Sequence, residues 1–328
     1  MNRRNRRVTR IFAARIGATL LLLCCAVPAL AQQTYDYGNL SGTAVSGDQG
    51  FILQIEGIWT NPRNADNVVA TELSGVIAPI IPVWDDSLAG RLGLGYRWAN
   101  GTKVIGTLWS FNTNKEHTAA GTLGFSIGPP IGSGMGDFGT SLNIDTEITA
   151  RTLDLALAKE HGIGDRFILE WSVGFRYARY EETASGSYSN GNTVYLPYKN
   201  IENSMFGARA ALQATYRWPV FSLIAGVGGS FLDGEVTGES GMSEASGSGV
   251  SGATFSDDGR SGNIFDFDVA AAWHNNNDSV VVLLGWEQQT WDGVPADMMR
   301  NLPGTSVVLR ERDSVTFSGI KLGVHLIF

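Results

Sequence analysis

Between Phe167 and Tyr177 every second side chain is apolar. Phe167, Leu169, Trp171, Val173, Phe175 and Tyr177 share one face, and Glu170, Ser172, Gly174, Arg176 and Ala178 share the other. The chain closes with the same period of two: Phe328, Leu326, Val324, Leu322 and Ile320 oppose Ile327, His325, Gly323, Lys321 and Gly319. A period of two is the signature of a strand with one face in an apolar medium and one face out of it. The pattern recurs from end to end, and nothing in the chain competes with it. Helix-period runs with caps are hard to find, and no stretch beyond residue 31 holds about 18 consecutive apolar residues, so no helix spans a membrane.

Ten strands follow from the alternation: Gly50–Thr60, Ser87–Trp98, Lys103–Phe111, Glu147–Lys159, Arg166–Tyr180, Asn203–Trp218, Phe221–Phe231, Asn263–Trp273, Ser279–Trp291 and Ser314–Phe328. In Lys103–Phe111 the apolar Ile105, Trp109 and Phe111 are expected to face outward. The connections alternate strictly. Those around ANGT, EHGIGD, WPV and HNNND are short; 61–86, 112–146, 181–202, 232–262 and 292–313 are long. A soluble sandwich has no reason to keep its long connections at one end. A barrel in an outer membrane does, with short periplasmic turns and longer extracellular loops. Backbone N–H and C=O groups in hydrocarbon need partners other than water, so a sheet spans only if it closes. The expected fold is therefore all-β: a transmembrane antiparallel β-barrel of about 10 strands. Twelve is the alternative, should 61–86 or 112–146 hide another pair. Trp59, Trp98, Phe111, Tyr177, Trp218, Phe221, Trp273 and Trp286 are expected to form two interfacial girdles.

The front of the chain agrees with export. MNRRNRRVTRIFAAR holds six arginines and no acid, an apolar run covers Ile16 to Val27, and Pro28-Ala29-Leu30-Ala31 offers small residues at a cut. The expected organisation is a cleaved signal peptide at 1–31, a periplasmic N-terminal segment at 32–49 and the barrel at 50–328. Both cysteines, Cys24 and Cys25, fall inside the signal, which leaves no disulfide or thiolate-metal scaffold in the exported chain. Taking six arginines from 24 Lys+Arg leaves 18 against 32 Asp+Glu, a mature charge of −14. That balance argues against a nucleic-acid partner.

The inward set carries both signs: Glu56, Arg91, Arg97, Asp154, Glu170, Arg176, Arg209, Asp266, Asp268, Glu287 and Lys321 are the expected lumen lining. An Arg or Lys on the lipid face would cost about 2–4 kcal/mol at the midplane, so their shared parity is coherent. Such charges can screen a solute path or pair up and fill a narrow barrel. Many inward residues are small, Gly93, Gly174, Gly226, Gly285 and Gly323 among them, which favours an open or loop-plugged lumen. The stretch GEVTGESGMSEASGSGVSGATFSDDGRSG reads as a flexible, solvated acidic loop without the spacing of a cation site.

Enzymatic chemistry finds little support. Of four histidines, His117 falls in a long connection, His161 and His274 near short turns, and His325 on the last strand; none has a Ser or Asp at a recognisable spacing. Asp266 and Asp268 face inward about 6.5 Å apart along one strand, and electrostatic lining is the preferred reading over a catalytic pair. No catalytic, cofactor or metal site is expected.

The stretches DDSLAGRLGLGYRWANGT, RTLDLALAKEHGIGDRFILEWSVGFRYARYEE and MFGARAALQATYRWPVFSLIAGVGGSFLDGEV resemble the Legionella-type major outer membrane protein family, over roughly Asp85 to Phe328. The family is pore-forming, so the resemblance implies a porin-like channel for small hydrophilic solutes or ions in the outer membrane of a Gram-negative bacterium. A closed barrel acting through its surface loops, as an adhesin or envelope protein, is the other expectation. The closing Leu322, Val324, Leu326 and Phe328 are similar to the assembly signal of outer-membrane barrels, which implies handling by the barrel-assembly machinery. Outer-membrane lipid is the other expected partner, and the oligomeric state is left open.

Overall fold

The computed structural model describes residues 49–63, 70–72, 78–80, 84–125, 139–189, 193–247, 250–275, 279–300, 307–311 and 314–328. The expected signal peptide and the segment 32–48 lie outside the described residues, as do parts of the connections 61–86, 112–146 and 292–313.

Among the described residues, fourteen strands run along the chain: β1 (Gly50–Arg63), β2 (Ala70–Glu72), β3 (Ala78–Ile80), β4 (Ser87–Arg97), β5 (Thr102–Phe125), β6 (Gly139–Ile163), β7 (Phe167–Ser189), β8 (Val194–Arg217), β9 (Phe221–Glu244), β10 (Val250–His274), β11 (Val280–Asp292), β12 (Pro295–Arg300), β13 (Val307–Glu311) and β14 (Ser314–Ile327). Ten of them form a ring. The order β5-β4-β1-β14-β11-β10-β9-β8-β7-β6 returns to β5 through the β5–β6 pairing, and every neighbouring pair is antiparallel. No sheet edge is left in the ring, which is the condition for crossing hydrocarbon. The remaining strands are accessories: β2–β3 is a small hairpin on the far end of β5, and β12–β13 pair with each other.

The outer face is apolar in a band. Phe51, Ile55 and Trp59 on β1, Leu153, Leu155 and Leu157 on β6, Phe175 on β7, Phe265 and Phe267 on β10, and Ile320 and Leu322 on β14 are all exposed. From Phe51 to Trp59 is eight residues, about 26 Å along a strand, or about 20 Å along the barrel axis at a tilt near 40°, which covers most of a band about 25 Å tall. Aromatic residues mark the short-turn rim. Phe51 meets Tyr96 edge-on at 5.2 Å, Tyr96 meets Trp98 at 5.1 Å, and Trp218 stacks on Phe221 at 4.3 Å. The chain ends here: Phe51 N donates to Phe328 O at 2.7 Å, and Phe328 N donates to Phe51 O at 3.1 Å.

Long excursions do leave the other end, but three of them are built of strand rather than irregular loop. β5 to β10 run 23 to 25 residues, where about 9–11 would cross. They therefore stand well clear of the membrane. In these arms the alternation continues with its phase reversed. On β6, Ile144, Ile148 and Ala150 are buried inside while Asp145, Glu147 and Arg151 do not point in; a few residues on, Leu153 is outside and Asp154 inside. Outside the band the medium around the barrel is water, so the apolar face turns inward. The Gly/Ser/acid-rich stretch obeys the same rule. Leu232 and Val236 are buried, Asp233, Glu235, Glu239, Asp257 and Asp258 are exposed, and Ile201, Val236 and Phe255 pack together. Its expected flexible loop is thus a strand pair with one bulge, where Gly259 takes a φ of 76° and the β9 register shifts between Asp258 and Arg260.

One strand has the opposite parity to that expected. On β5 it is Lys103, Ile105, Thr107 and Trp109 that line the interior, and Leu108 is exposed outside. Trp109 and Phe111 are 1% exposed and lie in the core, so Phe111 belongs to no girdle.

Candidate functional site

The barrel interior has two layers. The layer nearer the short turns is charged. Arg91 on β4 donates from Nη1 to Glu56 Oε2 on β1 at 2.7 Å, and from Nη1 and Nη2 to the two oxygens of Glu287 on β11, each at 2.7 Å. Lys321 on β14 reaches Asp268 at 3.4 Å and Glu287 at 3.8 Å, and His325 Nε2 lies 2.7 Å from Glu56 Oε1. A second set centres on Arg176 of β7. It makes a bidentate pair with Asp154 of β6, both bonds 2.7 Å, and reaches Asp266 of β10 at 2.9 Å. Arg209 approaches Asp154 and Asp266 at 3.4 and 3.6 Å. A third set sits closest to the turns: Lys103 bridges Glu160 and Glu170, and Arg97 holds Glu160, all at 2.6 Å.

Arg91 and Arg176 matter most for the shape of the lumen. Each links strands that lie three steps apart in the ring, β4 to β11 and β7 to β10. They are struts across the interior, and the bidentate geometry fixes each guanidinium plane. The cavity between the struts measures about 290 Å³. Ten of the eleven residues read from the sequence as lumen lining border it. Arg97 lies apart, in the pair with Glu160. Small inward residues do not simply leave space. A side chain on Gly93 would collide with Gln54 Oε1, and one on Gly226 with Asp268 Oδ1, because those neighbours already lie over them. Gly319 serves the backbone instead: a Cβ there would run into Trp59 O and the Cα of Thr60 on β1.

The second layer closes the lumen toward the arms. Ile58, Trp109, Phe111, Tyr180, Met205, Ile264, Trp291, Val315 and Phe317, which come from seven of the ten ring strands, belong to one buried cluster. Phe317 is its hub, with ring centroids 5.5 Å from Trp109, 5.1 Å from Phe111 and 6.0 Å from Trp291. Trp84 and Val294, which flank the ring strands, pack into the same cluster.

Sequence reasoning missed Lys103, Glu160 and the whole aromatic layer. The signal for Lys103 was present. With Trp109 and Phe111 outward, Lys103 shares their face and falls in lipid; the lipid-face cost of a lysine favours the opposite parity.

The histidines are dispersed. Trp171 Nε1 donates to His161 Nε2 at 3.1 Å on the outer surface, Ser222 Oγ lies 3.2 Å from His274 Nε2 near a short turn, and His117 stands on β5 far out along its arm. Asp266 and Asp268 are each held by a cation. Among the described residues no three His, Cys, Asp or Glu side chains gather as a metal site.

No family model matches the chain, and no curated protein does. Solved structures resemble it in outline. The outer membrane protease OmpT from Escherichia coli is 13% identical over 88% of this chain and 99% of its own, with a TM-score of 0.45. Neisserial surface protein A is 10% identical over 85% and 97%, with a TM-score of 0.28. A major outer membrane protein from Thermus thermophilus is 13% identical over 85% and 99%, with a TM-score of 0.35. The chain is an outer-membrane β-barrel of the Gram-negative type, as its closed ring, apolar outer band and charged interior require.

Proposed function

We propose that this barrel is closed, and that it acts through the strand arms it raises outside the membrane, as an adhesin or a structural element of the envelope, without enzymatic chemistry. The observation that carries this reading is the aromatic layer. Trp109, Phe111, Trp291 and Phe317 lie side by side across the lumen, none more than 2% exposed. The charged layer beneath supports it. The bidentate pairs of Arg91 and Arg176 narrow the path to the cavity between them, and the rings close it. Planar-bilayer recording tests the idea. Folded wild-type protein should give no stepwise conductance, and a Trp109→Ala, Phe317→Ala double variant should give steps. Regular steps from the wild type overturn the closed reading.

A pore for small hydrophilic solutes or ions is the second reading. It is favoured by the resemblance to the Legionella-type major outer membrane protein family and by the charged cavity below the aromatic layer. On that reading the layer is a gate. Wild-type steps whose size changes on replacing Arg91 or Lys321 would support it.

A further inference from the structure

We propose that Arg151 and Arg179, on the outside of the barrel, form a docking site for the phosphate of an outer-leaflet glycolipid. This inference rests on the barrel and its orientation, and holds whether the lumen is open or closed.

The two arginines are direct cross-strand partners on β6 and β7, with Ser110 of β5 beside Arg151 and Ser204 of β8 beside Arg179. All four share the outward parity. One step nearer the membrane on the same two strands are Leu153 and Tyr177, and one step further Leu155 and Phe175, all exposed. Phe206 stacks beside Phe175 at 5.8 Å. The arginines thus stand where the apolar band ends at the long-arm side, which is the headgroup level of the outer leaflet. Apolar side chains lie below them for acyl chains to cover.

Two like charges directly opposed on one face of a sheet destabilise it, and among the described residues no acid pairs with both of them. Arg151 is exposed and has no hydrogen-bond or ion-pair partner among the described residues. Arg179 commits Nη2 to Glu181 at 3.2 Å and Glu202 at 3.0 Å, and its Nε has no partner. Those two acids sit on the next row out from the membrane, opposite each other, so they tether Arg179 from above and leave the membrane side open. A phosphate between the guanidiniums would answer both: it accepts a bidentate pair from the Arg151 fork and a bond from the uncommitted Nη1 of Arg179, and it offsets their repulsion. Ser204 Oγ, already within 3.3 Å of Tyr177 Oη, adds a hydroxyl at the same height. A guanidinium here avoids the midplane penalty, which falls to about 0–1 kcal/mol near the interface.

The test uses the full chain folded in detergent and native mass spectrometry with three probes: bisphosphorylated lipid A, the same lipid dephosphorylated, and inorganic phosphate. Wild-type protein should retain one bisphosphorylated lipid and far less of the dephosphorylated form. Arg151→Gln should weaken retention about tenfold or more, the scale of a lost charge-assisted hydrogen bond, with the barrel still folded because Arg151 holds no other side chain. Arg151→Gln with Arg179→Gln should weaken it further. Equal retention by wild type and Arg151→Gln, or equal retention of the two lipids, overturns the proposal. So does a rise in retention on Arg151→Gln, which would mean that Glu181 and Glu202 dominate the patch. Full displacement of the lipid by inorganic phosphate would assign the site to free phosphate and overturn the glycolipid.

Discussion

The charged layer and the aromatic layer lie in the same lumen, on the same strands, and are held by different physics. In the charged layer each group is expensive to bury alone and is stable only with its partner. In the aromatic layer each ring contributes through the area it removes from water and the neighbours it touches. The first layer therefore fails when one partner is lost, and the second weakens ring by ring. The second is also continuous with the arms, whose apolar residues face in, whereas the first belongs to the span in lipid.

The largest expected effect breaks the aromatic layer. Trp109→Ala combined with Phe317→Ala removes two rings that touch at 5.5 Å. Each change should cost about 3–5 kcal/mol, and the pair should fall short of their sum because the sites are in contact. Urea unfolding in lipid or detergent, followed by loss of heat-modifiable migration, reads this out. Additivity to within a few tenths of a kcal/mol would mean that the two rings do not share a core.

Next comes the charged layer. Arg176 is 2% exposed and holds Asp154 and Asp266. Arg176→Met leaves two carboxylates without their main partner and should destabilise by about 3–5 kcal/mol, while adding Asp154→Asn and Asp266→Asn should recover much of the loss. The same unfolding assay checks it. A triple variant no better than the single one would show that the layer is not organised by ion pairing.

The smallest effect tests the arms. His117 lies beyond the apolar band, and burial, with Lys115 adding to it, holds its imidazole below the ordinary 6.5, against a weaker upward pull from Asp85. A lowered histidine favours the neutral ring in the folded state. Its contribution is present above 6.5 and is lost as pH falls from there through the folded value. NMR titration of His117 should give a value below that of a free imidazole, and Lys115→Met should move it upward. A titration at or above the free value would place the arm's inner face in open water.

How much of this was legible depended on which medium a residue faced. In the lipid span, apolar-out and polar-in gave the strands, the ring's strand number, and the parity of Arg91, Arg176 and Lys321, because a misplaced charge there is costly. Beyond the outer interface the same chain keeps its period of two but exchanges the faces. A pattern search tuned to one phase stops at Phe231 on β9 and takes Glu235, Glu239 and Asp257 for the mark of a loop. Phe111 escapes such a search for the same reason: it lies where the preferred face for an aromatic ring switches from out to in.

What the sequence alone settled is that the chain closes into a ring across hydrocarbon, since no other arrangement satisfies that many two-faced strands. The tertiary structure decided what fills the ring. Whether Arg91 meets Glu287 across the lumen and whether Phe317 meets Trp109 depend on shear and register between strands distant in sequence. Those are set by the closure of the whole barrel rather than by any strand read on its own.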